Sequence, residues 1–314
     1  MNDLPKNIYN KTPILILGFN RPNLLITLIK RIGIFKPEKI YISIDGPRKN
    51  NNNDKILIEK IKNEVLKEIS WNCVLNTKFF IDNQGVKKGP AKGIDWFFKN
   101  EEMGIILEDD IDPNVSFFPF ATLLLNKYKN NNKVMMISGN NYIKLKDKTE
   151  ESYYFSKSPG THGWATWKRA WKKFDLEMRC LRKSDLIKML WYFDFNLAKI
   201  HYFYKRFKLS KINKIEAWDY ALFYSIFNNN GLIIKPSINL CKHIGWEIET
   251  GEESTHGKGA DGLPDVINKT MDFPIVHPKF ISQNYILDDI EDKKLRKLYF
   301  FKYFSYLIKK KIFS

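Results

Sequence analysis

"GIILEDDIDPNVSFFPF", Gly104–Phe120, decides the fold. A short apolar run, Gly104–Leu107, meets three consecutive acids: Glu108, Asp109 and Asp110. Asp112 and Pro113 follow, and then an aromatic patch. A brief apolar run bounded by turn formers reads as a strand buried on both faces. The acids then stand on backbone anchored in the core. Adjacent carboxylates repel unless a cation compensates them or solvent screens them. Read alone, the acids are also an ordinary strand-to-loop turn.

Working outward, "PILILGF" (Pro13–Phe19) is a second buried strand that ends at "NRP". Leu24, Leu25, Leu28, Ile29 and Ile32 repeat with helical spacing. "KIYISID" is a strand closed by the polar loop "GPRKNNNND". Asp54–Ile69 carries its isoleucines mostly on one helical face. "NCVLNTKFFIDNQG" reads as a strand and "AKGIDWFFKNEE" as a helix that leads into Gly104–Leu107. The alternation β-α-β-α-β-α-β predicts a doubly wound, mostly parallel sheet flanked by helices. Ligands of such sheets sit at the carboxyl ends of the strands. Arg21, Asp45, Asn83 and Asp109/Asp110 fall there, which favours a site over a chance turn.

The second half is less regular. "KVMMISG" reads as a strand, and the stretch from about Thr166 as a helix. Lys183–Lys214 and "EAWDYALFYSIFNNNG" are predicted helical, and "LIIKPSINLCKHIGW" strand-like. With no clear linker, residues 1–285 are expected to form one domain, with a regularly alternating half, 12–125, and a less regular half, 126–285. Residues 286–314 are read as a basic, aromatic, helical tail.

Composition bounds the function. The chain has 314 residues, 44% of them apolar, enough for a sizeable core. Cys73, Cys180 and Cys241 show no metal or disulfide spacing, which fits reduced thiols. The polar N-terminus reads as no signal peptide, and no apolar run approaches the ~20 residues that span a bilayer. A cytoplasmic protein is expected. The net charge of +17 suits nucleic acid, anionic lipid or a phosphorylated substrate. No zinc knuckle, RNA-binding strand signature or helix-turn-helix pattern singles out nucleic acid, which is not expected as a partner.

Each candidate group has a chemical reason. Asp109 and Asp110 suit a hard divalent cation, magnesium or manganese, shared with diphosphate oxygens. Asp45 can accept from a nucleobase imide or a ribose hydroxyl, although Asp-Gly is also a common turn. Arg21 can pair with phosphate or base. "NQGVKKGPAKG" (Asn83–Gly93) places Lys88 and Lys92 before a helix, where amides and cations can hold phosphate; it matches neither a Walker loop nor GxGxxG. Glu216 and Asp219, three apart, can supply a general base beside Trp218. His162, His243 and His256 are possible metal or phosphate contacts, without zinc spacing. Trp164, Trp167 and Trp171, and "SFFPF", read as core.

On these residues the chain resembles GT-A nucleotide-sugar glycosyltransferases, most of all the N-acetylglucosaminyltransferase I type and related bacterial glycosyltransferases. The resemblance covers 12–125 best, through "ILILGFNRP", "YISIDG" and "GPAKGIDWFF…GIILEDDIDPNVSFFPF". It implies that Arg21 contacts the nucleotide, Asp45 meets uracil, Glu108 and Asp109 contact sugar or ribose, and Asp110 ligates Mn2+ or Mg2+. "AWDYAL" implies Asp219 as catalytic base, and "NLCKHIGW…STHG" a closing loop with His256 as a second-rank metal ligand. The implied activity is inverting transfer from a UDP-sugar to a glycan or lipid-linked glycan in bacterial surface polysaccharide or lipooligosaccharide assembly. The sequence departs from the animal enzyme of that type in reading without a membrane anchor and in most of its own second half, so donor sugar and acceptor stay open. "KKLRKLYFFKYFSYLIKKKIFS" (Lys293–Ser314) can lie on an anionic membrane or pack on the domain. A nucleotidyltransferase would need a glycine-rich basic loop where "NRPNLL" stands. A non-catalytic glycan- or nucleic-acid-binding protein would leave Asp45, Asp109, Asp110 and Asp219 without a joint purpose.

Overall fold

The computed structural model describes residues 10–143, 150–245 and 267–295. The elements run in chain order β1 (Ile14–Gly18), α1 (Pro22–Phe35), β2 (Lys39–Ile44), α2 (Asn52–Asn63), β3 (Val74–Phe79), α3 (Gly85–Asn100), β4 (Met103–Glu108) and β5 (Ile111–Pro113). They continue with α4 (Phe117–Tyr128), β6 (Val134–Ser138), β7 (Tyr153–Ser156), β8 (Trp164–Trp167), α5 (Lys168–Trp171), α6 (Asp185–Tyr192) and α7 (Leu197–Lys211). The last are α8 (Asp219–Asn228), β9 (Leu232–Pro236) and β10 (Cys241–His243).

An eight-stranded sheet has the order β3-β2-β1-β4-β8-β6-β9-β7. β3, β2, β1 and β4 pair in parallel, so their carboxyl ends share one edge. β8 runs antiparallel to both β4 and β6, and β7 antiparallel to β9. The expected α/β class, a mostly parallel sheet flanked by helices in the Rossmann-like manner, is the observed one. Successive strand residues face opposite sides. Ile14 and Ile16 join the layer of α1, α2 and α4, while Leu15 and Leu17 join that of α3, α7 and α8. Phe117, Phe118 and Phe120 are fully buried in the first layer, so "SFFPF" is core as expected.

Two boundaries differ from expectation. The segment around Thr166 is strand β8 before it becomes a short helix. β-Branched and aromatic residues pair well here, Trp167 opposite Met103 and Trp164 opposite Ile106. Trp164 and Trp167 then enter opposite layers, both buried. The glycine- and lysine-rich stretch is not a loop: α3 begins at Gly85 and contains Pro90.

Residues 286–295, read as the start of the tail, belong to the body. Leu287, Asp288, Glu291 and Leu295 are buried there. Glu291 pairs with the fully buried Lys235, and Asp292 with buried Lys199 at 2.8 Å. Asp288 accepts from Ser156 and from the backbone N–H of Lys157 at 3.0 Å. A charge so deeply buried persists only with such partners. Among the described residues no helix is long and apolar enough to cross a membrane.

Candidate active site

The carboxyl ends of β1 and β4 bring Arg21 onto the acid cluster. Its guanidinium forks between two carboxylates, Nη2 donating to Asp109 and Nη1 to Asp110 Oδ2 at 2.9 Å. Asp109 also accepts the Phe19 N–H at 3.3 Å. Both acids are nearly inaccessible, at 1% and 3% exposure, and Arg21 is buried with them. Arg21, expected to contact the donor, here supplies the counter-charge of the pair, because two buried carboxylates need a cation close by. Asp109, also expected to touch the donor, is turned toward β1.

His243 completes the cluster. β10 pairs antiparallel with β5 immediately after the acids, with His243 opposite Ile111. The Ile244 N–H donates to the Asp110 carbonyl at 2.8 Å, and His243 Nε2 stands 3.3 Å from Asp110 Oδ2. A Cβ at Gly245 would lie 2.8 Å from that same oxygen, so only glycine lets the chain pass so close. His243 was one of three candidate histidines in the sequence. Its pairing was hidden because nothing local links residues 110 and 243.

The charges divide sharply. Burial pushes the Asp109 carboxyl up, to about 6, against the pull of Arg21. Burial also opposes the Asp110 charge, but a hydrogen bond from His243 and the charge of Arg21 hold that carboxyl well below the usual range. Glu108, half-buried, is raised well above its ordinary value, first by burial and then by Asp110, Asp219 and Asp109. The Asp219 field reaches Glu108 because α8 starts with Asp219, at the same edge as the β4 acids.

Asp219 accepts the N–H of Tyr220 at 2.9 Å and lines a cavity of about 150 Å³ together with Tyr142, His162, Tyr202, Tyr220 and Phe223. Leu295 lines it from the C-terminal side. Glu216 precedes the helix and is exposed, which leaves Asp219 as the acid of the pair that faces the cavity. Trp218, next to Asp219 in the chain, stacks on Trp164 at 5.6 Å inside the core.

Asp45 acts mainly on α3. It accepts N–H bonds from Gly46 (2.8 Å), Gln84 (2.8 Å) and Gly85 (3.0 Å), plus the Asn83 amide at 3.1 Å. A carboxylate offers about four lone-pair directions. A nucleobase imide would therefore have to take the place of Asn83. Burial raises the Asp45 carboxyl above its usual value despite those amides. Lys88 and Lys92 are exposed, and Lys92 donates to Gln84. The third lysine, Lys87, turns inward to Asn213 at 2.7 Å and the Ser210 carbonyl at 3.2 Å, and so ties α3 to α7. His256 and residues 296–314 lie outside the described residues.

A divalent cation fits the chemistry of the donor set. Four carboxyl groups, Glu108, Asp109, Asp110 and Asp219, gather at this edge against Arg21 and His243, and burial and the neighbouring acids disfavour the charge on Glu108 unless a cation compensates it. Among the described residues no three His, Cys, Asp or Glu side chains form a ready metal cage. Magnesium and manganese sites that draw on diphosphate oxygens need only one or two protein carboxylates.

No family model matches the chain, and no curated protein matches it. Among solved structures it is similar to HddC from Yersinia pseudotuberculosis in complex with GMP-PN, at TM-score 0.30 and 9% identity over 50% of this chain and 77% of that one. It is also similar to 4-diphosphocytidyl-2C-methyl-D-erythritol synthase from Anaerococcus prevotii, at TM-score 0.28 and 12% identity over 60% and 86%. A third is mouse xyloside xylosyltransferase 1 in its apo form, at TM-score 0.30 and 9% identity over 69% and 81%. Likeness at this level assigns no activity, and the functional reading rests on the site.

Proposed function

We propose that this chain is an inverting glycosyltransferase that moves a sugar from a nucleoside-diphosphate donor, a UDP-sugar by the resemblance, to a hydroxyl of a glycan. The observation that carries this reading is the surplus of carboxylates at the carboxyl edge of the parallel strands, with Asp219 facing both those acids and a cavity. Asp219 accepts the proton of the acceptor hydroxyl as that oxygen attacks the anomeric carbon. The new C–O bond forms as the bond to the diphosphate breaks, and the nucleoside diphosphate leaves with the electron pair. Manganese or magnesium, when bound, offsets the charge that develops on the leaving diphosphate. Asp110, with Glu108 beside it, would hold the ion. Arg21 and His243 fix the orientation of Asp110.

Metal-dependent hydrolysis across a panel of nucleotide sugars tests the reading. We expect Asp110→Ala and Asp219→Asn to lower turnover by at least about 10²-fold, as loss of a general base does. Melting temperature must show that each variant still folds. Near-normal turnover in either folded variant removes that residue from its role. Pyrophosphate formation from a sugar phosphate and a nucleoside triphosphate would replace transfer with nucleotidyl transfer.

A further inference from the structure

We infer that one face of the folded body, built by α6 and residues 280–286, docks this chain on a bilayer that carries anionic headgroups. The inference is independent of the catalytic proposal and of residues 296–314. α6 turns Asp185, Met189 and Tyr192 into the core. Its outward positions, where a solvated helix carries charge, instead hold Ile187 at 64% exposure and Trp191 at 70%, one turn apart. Phe195, 54% exposed, sets its ring edge on Trp191 at 5.0 Å, and Leu197 follows at 68%.

The turn that presents Phe195 is unusual. Asp194 and Phe195 both have left-handed backbone, with φ of 49° and 60°. A bulky aromatic in that region is costly, and glycine or asparagine would hold the turn more easily. The strain is tolerated although it exposes the ring rather than buries it.

The second segment adjoins the first. Gln283 donates to Asp194 at 3.0 Å, and Asn196 donates to Asp292 at 3.1 Å. Around that seam Phe280, Tyr285 and Ile286 are 67%, 59% and 74% exposed. Contiguous exposed apolar residues mark an interaction surface. Its composition selects lipid. Trp and Tyr favour the headgroup level, and the exposed cations Lys183, Lys188 and Lys279 flank these residues in the chain, Lys188 at 3.7 Å from the buried Asp185. Lys279 lies over the Phe280 ring at 5.4 Å. The acids Asp194 and Asp289 are also exposed here, and Asp289 is paired with Lys293. The chain stays strongly basic even without the six cations of residues 296–314, which favours an anionic surface and disfavours a second copy of the same chain.

The test is co-flotation of the full chain with vesicles of phosphatidylcholine plus phosphatidylglycerol, and with phosphatidylcholine alone. We expect binding to the anionic vesicles only, weakened by high salt. Trp191→Ser with Phe195→Ser, and separately Tyr285→Ser with Ile286→Ser, should each lower that binding at least about tenfold. All four side chains are exposed, so unchanged melting temperatures are expected. Lys183→Glu with Lys188→Glu supplies a second probe that leaves the apolar residues in place, and should also weaken binding. Three results overturn the inference. One is wild-type chain that does not float with anionic vesicles. Another is serine pairs that bind as wild type, which assigns the binding to another part of the chain. The last is a wild-type dimer that the serine pairs dissociate without any change in vesicle binding. Nucleotide-sugar hydrolysis without vesicles should be the same in these variants as in wild type, so this failure and that of the catalytic proposal are read separately.

Discussion

Arg21 shows how a residue's partners decide its role. It serves two carboxylates at once, and its removal strands both in a place where water does not reach. We expect Arg21→Ala to cost about 3–5 kcal/mol of stability, as for other broken buried pairs. Urea unfolding monitored by circular dichroism measures it. An arginine that only touched a donor would cost little in that assay. Gly245 gives a subtler case. A methyl there meets Asp110 Oδ2 and His243 Cε1 at 2.8 and 3.0 Å. We expect Gly245→Ala to lower nucleotide-sugar hydrolysis by about 10²-fold through a displaced carboxylate, and to change the melting temperature far less than Arg21→Ala does. The acids of this site were legible because they end an apolar strand. Their partners were not, since Arg21, His243 and Gly245 come from distant parts of the chain. Spacing within a segment carries no trace of a contact across 89 residues, the separation of Arg21 and Asp110.

At the scale of the element, period-2 and period-3.6 patterns made the strands and helices of the first half legible. They failed where both patterns could be drawn. Trp164, Trp167 and Trp171 fit a helix by spacing, yet pairing with β4 on one side and β6 on the other makes a strand of the first two. Glycines and Pro90 suggested a loop where α3 already runs, because the cap for that helix is Asp45, 39 residues away from Gln84. Asp54 offers a quantitative check on such struts. It is fully buried, accepts from Asn20 at 2.7 Å, and receives Arg48 Nε at 2.8 Å and Nη2 at 2.9 Å, so it binds the loops after β1 and β2 together. Burial alone would raise its carboxyl, but Arg48 and Asn20 hold it below the ordinary value. A depressed folded-state value gives stability that is present above the unfolded carboxyl's pKa of about 4 and lost as pH falls through the folded value. We expect Asp54→Asn to cost about 1.5–3 kcal/mol near pH 7. The gap in melting temperature between variant and wild type should close as pH drops below about 4.

Across the whole molecule, the parallel half of the sheet supplies the acids, the separate β5–β10 pair supplies His243, and α8 supplies Asp219 to the cavity. Residues 283–295 then close the far side through buried ion pairs as well as through the apolar contacts of Leu287 and Leu295. Sequence periodicity does not reveal this docking, because "LDDIEDKK" looks like a solvated surface until Lys199 and Lys235 are seen beneath it. We expect Glu291→Ala to destabilise the whole domain by about 3–5 kcal/mol, because it leaves the Lys235 ammonium buried and alone. Lys235→Met with Glu291→Leu should recover most of that loss, which denaturant titration of the three proteins would read. The same docking has a geometric result. Leu295 lines the cavity that Asp219 faces, and the chain runs on from there for another 19 residues. The wall of that cavity therefore hangs on the ion pairs of Glu291 and Asp292, so a change that loosens them also alters the room beside Asp219.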